Sequence, residues 1–224
     1  MTADFKLRNI DSEDIEDLLL KVEKSFGIKF AEKELFHVST FGELCDHITN
    51  KIELENSEDC TSQQAFYKLR EAISTSLLLN DKTITPTTPL EQVLPKQNRR
   101  SFVRKIENNL EFKLDILKAS DSTIGVFLII LILSLVEIFI NWRIGILGFV
   151  ISICGLWVSN RFGRQLKVKT IGEVAKKITR ENYLKSRRNP ETFNRKEIEK
   201  ILTEWFGEYF DLEKNELLRE AEFR

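Results

Sequence analysis

Between Ile124 and Ser159 the chain carries two apolar runs that are almost free of charge. The first reads IGVFLIILILSLVEIFI (124–140) and the second IGILGFVISICGLWVS (144–159), with Asn141-Trp142-Arg143 between them. Each run is about 16–17 residues, or about 24–26 Å as a helix, slightly short of the roughly 30 Å hydrocarbon core of a bilayer. Together they are too long for one spanning helix, and the break is polar. The block predicts a two-helix transmembrane hairpin over 122–160 with a very short turn. Two buried helices of a water-soluble core are the alternative, but too little polar patterning interrupts either run. Gly145, Gly148 and Gly155 permit close helix contact. Trp142 and Trp157 suit the two interfaces.

Flanking charge orients the hairpin. Arg99, Arg100, Arg104, Lys105, Lys113 and Lys118 precede it, Arg161, Arg164, Lys167 and Lys169 follow it, and the turn holds only Arg143. The excess of cations beside the feet predicts that both termini are cytoplasmic. The expected location is the cytoplasmic side of a bacterial inner membrane. Glu137 is a carboxylate inside a span, which makes it a functional candidate by default. It lies close to the turn, so the simpler reading has it reach the interface or pair with Arg143.

The rest of the chain reads differently. Charged residues make up 31% of the 224, and there are four prolines and nine glycines, which favours an ordered, helix-rich chain. A net charge of −1 gives no global signal for nucleic acid, and no basic–aromatic surface accompanies Lys185-Ser186-Arg187-Arg188. Cys45, Cys60 and Cys154 make neither a disulfide framework nor a zinc pattern, and His37 and His47 are too few for a histidine-rich metal site. The opening MTADFKLRNIDSED lacks the apolar stretch of a signal peptide. Walker A, GxSxG and HExxH patterns do not occur, so the chain reads as non-catalytic.

Outside the hairpin the sequence repeats itself. Thr40-Phe41-Gly42-Glu43-Leu44 resembles Thr170-Ile171-Gly172-Glu173-Val174, with a threonine N-cap before the same apolar stripe. Upstream, Leu18, Leu19, Val22 and Phe26 match the spacing of Phe102, Val103, Ile106 and Leu110. Phe26-Gly27-Ile28-Lys29-Phe30 then matches Leu110-Glu111-Phe112-Lys113-Leu114. The second copy has a leading helix marked by Phe66, Leu69, Ile73 and Leu77. The first copy lacks one. An orphan stripe instead lies near the C-terminus at Ile198, Ile201, Leu202, Trp205 and Phe206, and it is expected to bury against Ile15, Leu18, Leu19 and Val22.

These pieces resemble an acyl carrier protein. Asp11-Ser12-Glu13-Asp14, Phe26-Gly27-Ile28 and Thr40-Phe41-Gly42-Glu43-Leu44 resemble the second half of that family without a gap. Residues 197–224, ending near Phe223, resemble its first helix and long loop. The resemblance implies an all-α fold: a carrier-like bundle from 1–58 and 193–224, permuted within one chain or completed by helix exchange in a homodimer. A second carrier-like module covers 61–118 and 166–180, interrupted by the hairpin at 122–160, and 181–192 reads as a linker.

The family's serine carries phosphopantetheine through its hydroxyl, and acyl groups ride on the arm as thioesters. The resemblance therefore implies Ser12 as the attachment point, at a helix start that favours the attached phosphate. Asp-Ser is also a common helix cap. Where the family has an apolar residue after the serine, this chain has Glu13. Asp11, Glu13, Asp14, Glu16, Asp17 and Glu23 would form the face that docks a phosphopantetheinyl transferase and acyl-transfer enzymes. In the second module Pro95-Lys96 stands at the Asp11-Ser12 position, so that module is expected to be structural, with basic Arg99, Arg100 and Arg104 facing anionic headgroups or the acidic face. The implied function is a membrane-anchored carrier in lipid or fatty acid metabolism. The alternative is a membrane adaptor that reuses the bundle for protein contact and leaves Ser12 unmodified.

Overall fold

The computed structural model describes residues 12–223. They form ten α-helices, one 3₁₀ turn and four two-residue strands, an all-α architecture. Two compact units divide the chain: residues up to Glu71 together with those from Ala175 onward, and Ala72–Val174. Both boundaries fall inside helices, in α3 (Thr61–Leu77) and α8 (Ile171–Glu181).

The first unit rests on three amphipathic helices: α1 (Ser12–Phe26), α2 (Phe41–Lys51) and α10 (Arg195–Phe210). Thr40 starts α2 with a capping box: its hydroxyl accepts the Glu43 N–H at 3.2 Å while the Glu43 carboxylate accepts the Thr40 N–H at 3.2 Å. Gly27, at φ 66°, ends α1 in the left-handed region. The core joins Leu18, Val22 and Phe26 with Phe41, Leu44 and Ile48, and with Ile198, Leu202, Trp205 and Phe206. The orphan stripe is thus buried with the N-terminal stripe inside one chain. Phe41 and Phe206 meet edge-on, 5.3 Å apart.

The loop after α10 returns to the start of α2. Ala221 and Arg219 carbonyls accept the Phe41 and Gly42 N–H groups at 2.8 and 2.9 Å, and Phe223 donates to Ser39 O at 3.1 Å. A side chain at Gly42 would meet Arg219 O at 2.7 Å, so this approach requires glycine.

The segment 181–192, expected as a linker, is instead part of this packing. It holds α9 (Tyr183–Ser186), and strand β4 (Thr192–Phe193) pairs in parallel with β1 (Glu55–Asn56). Tyr183 is fully buried and Arg187 is 1% exposed. The Arg187 guanidinium donates to Thr61 Oγ1 at 2.5 Å, Asp59 O at 3.3 Å and Thr192 Oγ1 at 3.2 Å. An arginine in a polar run looks solvated in sequence; here its donors are spent on backbone and hydroxyl oxygens.

The second unit repeats the same local hydrogen bonds. Leu90 donates to Lys169 O at 2.8 Å, and Thr88 and Pro86 carbonyls accept the Ile171 and Gly172 N–H groups at 3.1 and 2.8 Å. The Thr170 hydroxyl accepts the Glu173 N–H at 3.2 Å, while the Glu173 carboxylate accepts the Lys169 N–H at 2.7 Å. After the α3 helix Leu78 is left-handed at φ 56°, as Asp211 is at φ 54° after α10. The repeat therefore extends into the long loops, whose sequences share no motif. Helices α4 (Leu90–Val93) and α5 (Arg99–Leu110) follow.

Arg99, expected on an exposed basic face, is buried at 4% exposure. It donates to Leu94 O and Arg164 O, both at 2.8 Å, and ties the start of α5 to the residues beyond the hairpin.

The hairpin is α6 (Asp121–Ile140) and α7 (Trp142–Arg161), with Asn141 alone between them. Each helix has 20 residues, about 30 Å. Both exceed the apolar runs: α6 begins at Asp121, and Trp142 and Arg143 open α7 rather than forming the turn. They are long and apolar enough to cross a membrane, and only 6% and 11% of their most apolar windows are buried. Arg143 lies over the Trp142 ring at 5.7 Å. Strands β2 (Leu117–Lys118) and β3 (Gln165–Leu166) pair antiparallel across the feet.

Candidate functional site

Ser12 is the first residue of α1, and Asp11 lies outside the described residues. The site is therefore a helix N-terminus, where unpaired backbone N–H groups and the helix dipole favour a phosphate group. Glu13 and Asp14 follow in the first turn, and Glu16 and Asp17 in the next. All four are exposed and span an arc of about 160°. The opposite arc carries Leu18, Val22 and Phe26 into the core.

Glu23 behaves differently from the other acidic residues. It is half-buried, and its carboxylate accepts the Phe30 N–H at 2.5 Å. In the second unit Glu107 does the same for the Leu114 N–H at 2.9 Å. Glu23 thus clamps the turn after α1, and the docking face is narrower than the sequence suggests.

One residue on that face escaped the sequence reading. Leu20 is 61% exposed and projects between Glu16 and Asp17 on the acidic arc. Its signal is an apolar position off the stripe of 15, 18, 19, 22 and 26. An exposed leucine ringed by carboxylates is the composition of a small docking patch, an apolar centre with a charged rim.

At the far end of α1, a cavity of about 260 Å³ is lined by Phe26, Ile28, Ile52, Leu54 and Leu184. It lies about 20 Å of helix from Ser12 and is separate from the site. The two histidines sit with the following loop. His47 Nε2 lies 2.8 Å from Glu34 Oε1, and the His37 and His47 rings meet edge-on at 5.5 Å. They belong to the packing of α2 and its preceding loop.

In the second unit Lys96 is exposed in a turn, and α5 begins only at Arg99. The position matching Ser12 is thus neither a serine nor helical. Among the described residues no group of three or more His, Cys, Asp or Glu is placed to hold a metal.

No family model, curated protein or solved structure matches this chain.

Proposed function

We propose that the protein is a membrane-tethered carrier, with phosphopantetheine attached at Ser12 and an acyl group presented from it to partner enzymes. One observation carries the reading: Ser12 opens a helix whose outward face is acidic and whose inward face is closed by the C-terminal helix. A serine at such a helix start suits an attached phosphodiester, and Ser12 would hold the group through its hydroxyl oxygen. When bound, the group supplies a thiol on a long flexible arm for thioester chemistry. The chain's own residues give the attachment point and the docking face of Glu13, Asp14, Glu16 and Asp17 around Leu20, and they catalyse nothing themselves.

The hairpin sets where this happens. With both termini cytoplasmic, the hairpin tethers the carrier to the membrane, which raises its encounter rate with membrane-associated transferases. Acidic rims act mainly on the rate of encounter, so loading by partners should weaken with salt.

The deciding measurement is the intact mass of the full chain, coexpressed with a broad-specificity phosphopantetheinyl transferase, beside Ser12→Ala. A mass gain of one phosphopantetheine, absent in Ser12→Ala, is expected. No gain, while the transferase loads a control carrier, favours the adaptor reading, for which the serine-free second unit is the precedent within this chain.

A further inference from the structure

The second unit holds a pocket that the carrier reading does not use. Its volume is about 680 Å³, in the range of small-molecule sites. Five cations line it: Arg100, Arg104, Lys113, Arg161 and Lys167. Two carboxylates line it too, and both are engaged. Glu107 accepts the Leu114 N–H and meets Lys113 at 3.5 Å, while Asp115 pairs with Lys167 at 2.6 Å. Among the described residues, Arg100, Arg104 and Arg161 pair with no carboxylate. The local balance is five positive against two negative charges, and the surplus is guanidinium.

Position decides what such a pocket meets. Arg161 is the last residue of α7, and Asn160 and Gly163 beside it also line the pocket. The pocket therefore sits at the feet of the hairpin, where an inserted hairpin meets the headgroup layer. Exposed Phe162 lies there as well, with the Arg100 guanidinium 4.8 Å from its ring. Val103, Ile116 and Leu117 give the pocket an apolar wall.

We propose that this pocket binds the phosphate of an anionic phospholipid headgroup from the cytoplasmic leaflet. Guanidinium groups match phosphate oxygens in paired hydrogen bonds, and the apolar wall accommodates the glycerol end of the lipid. A basic pocket at the foot of membrane helices recognises such lipids by charge and by place together. The inference rests on the hairpin entering the bilayer and is independent of Ser12 modification.

Native mass spectrometry of the full chain in detergent tests it, with phosphatidylglycerol, phosphatidylcholine and inorganic phosphate as separate probes. One phosphatidylglycerol should bind, in preference to phosphatidylcholine. The triple variant Arg100→Gln, Arg104→Gln, Arg161→Gln should bind it on the order of 100-fold more weakly, and Arg104→Gln alone about 5-fold more weakly. Lys29→Gln, Lys200→Gln, Lys214→Gln removes the same charge from the first unit and should change nothing. Unaltered helical circular dichroism in each variant keeps the comparison valid, and Arg104, being exposed, is the variant least able to disturb the fold.

Three results overturn the proposal: equal binding of the two lipids, equal loss in the lysine triple, or inorganic phosphate saturating at the same concentration as the lipid. The last would make the pocket a site for a soluble phosphate. Flotation of the unaltered chain with phosphatidylcholine vesicles separates the causes. If it fails, the membrane reading falls and the lipid site with it. If it succeeds while the lipid preference is missing, only the lipid site falls.

Discussion

Burial separates the three cysteines. Cys45 is 1% exposed in the core of the first unit, and burial pushes its thiol up to about 12. Cys60 is exposed, and Cys154 is exposed on α7. In sealed vesicles a membrane-impermeant maleimide should modify Cys60 alone: Cys45 needs denaturation, and lipid shields Cys154. Under the proposed orientation, with both termini cytoplasmic, Cys60 should react in inside-out vesicles and not in right-side-out ones; the reverse result would overturn that orientation. Labelling of Cys154 without detergent would mean the hairpin is not embedded. Glu34 gives a second test at this scale. It accepts from Ala31 N at 2.6 Å, Lys51 Nζ at 2.7 Å and His47 at 2.8 Å. The Lys51 bond, with those from Ala31 and His47, holds its carboxyl down from 4.5 to about 2. A depressed carboxyl stabilises the fold fully above its unfolded value and loses that contribution as pH falls from about 4.5 to about 2. Glu34→Gln should lower the melting temperature at neutral pH and flatten its fall across that acid range. An equally steep fall in the variant would assign the acid sensitivity to other groups. At this scale the sequence misleads where charge is concerned. Glu23, Arg99 and Arg187 look like surface charges, yet each satisfies backbone or hydroxyl groups within the packing.

Among the elements, the hairpin is the most legible. Its existence, its two helices and its glycine seam follow from composition and spacing. The turn does not. Asn141 alone suffices, since Trp142 and Arg143 are already helical, in a first turn whose N–H groups have no intrahelical partner to wait for. Along the seam a side chain at Gly148 would approach Ser134 Cβ at 2.9 Å. Gly148→Leu should therefore destabilise the detergent-solubilised protein by about 1–3 kcal/mol through overpacking, read as a lower denaturation midpoint. Leu147→Ala, on the outward face at 61% exposure, should leave that midpoint within about 0.5 kcal/mol. Equal effects would place the helix contact elsewhere. The caps were equally legible: the Thr-x-x-Glu spacing at Thr40 and Thr170 is local, and both threonine hydroxyls accept the glutamate N–H three residues on.

For the molecule as a whole, α10 is the decisive element. It adds Ile198, Leu202, Trp205 and Phe206 to the core of α1 and α2. Burial of each contributes about 1.5–3 kcal/mol, so their sum is comparable with the whole 5–15 kcal/mol of a typical domain. Deleting 195–224 should abolish the cooperative unfolding of the first unit. The hairpin unit should keep its helical signal, and a peptide of 195–224 added in trans should restore the transition. Retained cooperativity without α10 would mean that the N-terminal helices close on each other or on a second copy. The sequence by itself determined what depends on neighbours along the chain: the apolar hairpin, the stripes, the caps and the repeat. Those are periodicities, and a helix reads them locally. The pairing of the C-terminal stripe with the N-terminal one was expected from the resemblance and not from the stripes themselves; only the tertiary structure decided that 181–192 is packed rather than free and that the repeat reaches the long loops. Apolar stripes are interchangeable in sequence, so their pairing is chosen by long-range closure and by which backbone groups that closure leaves to be satisfied.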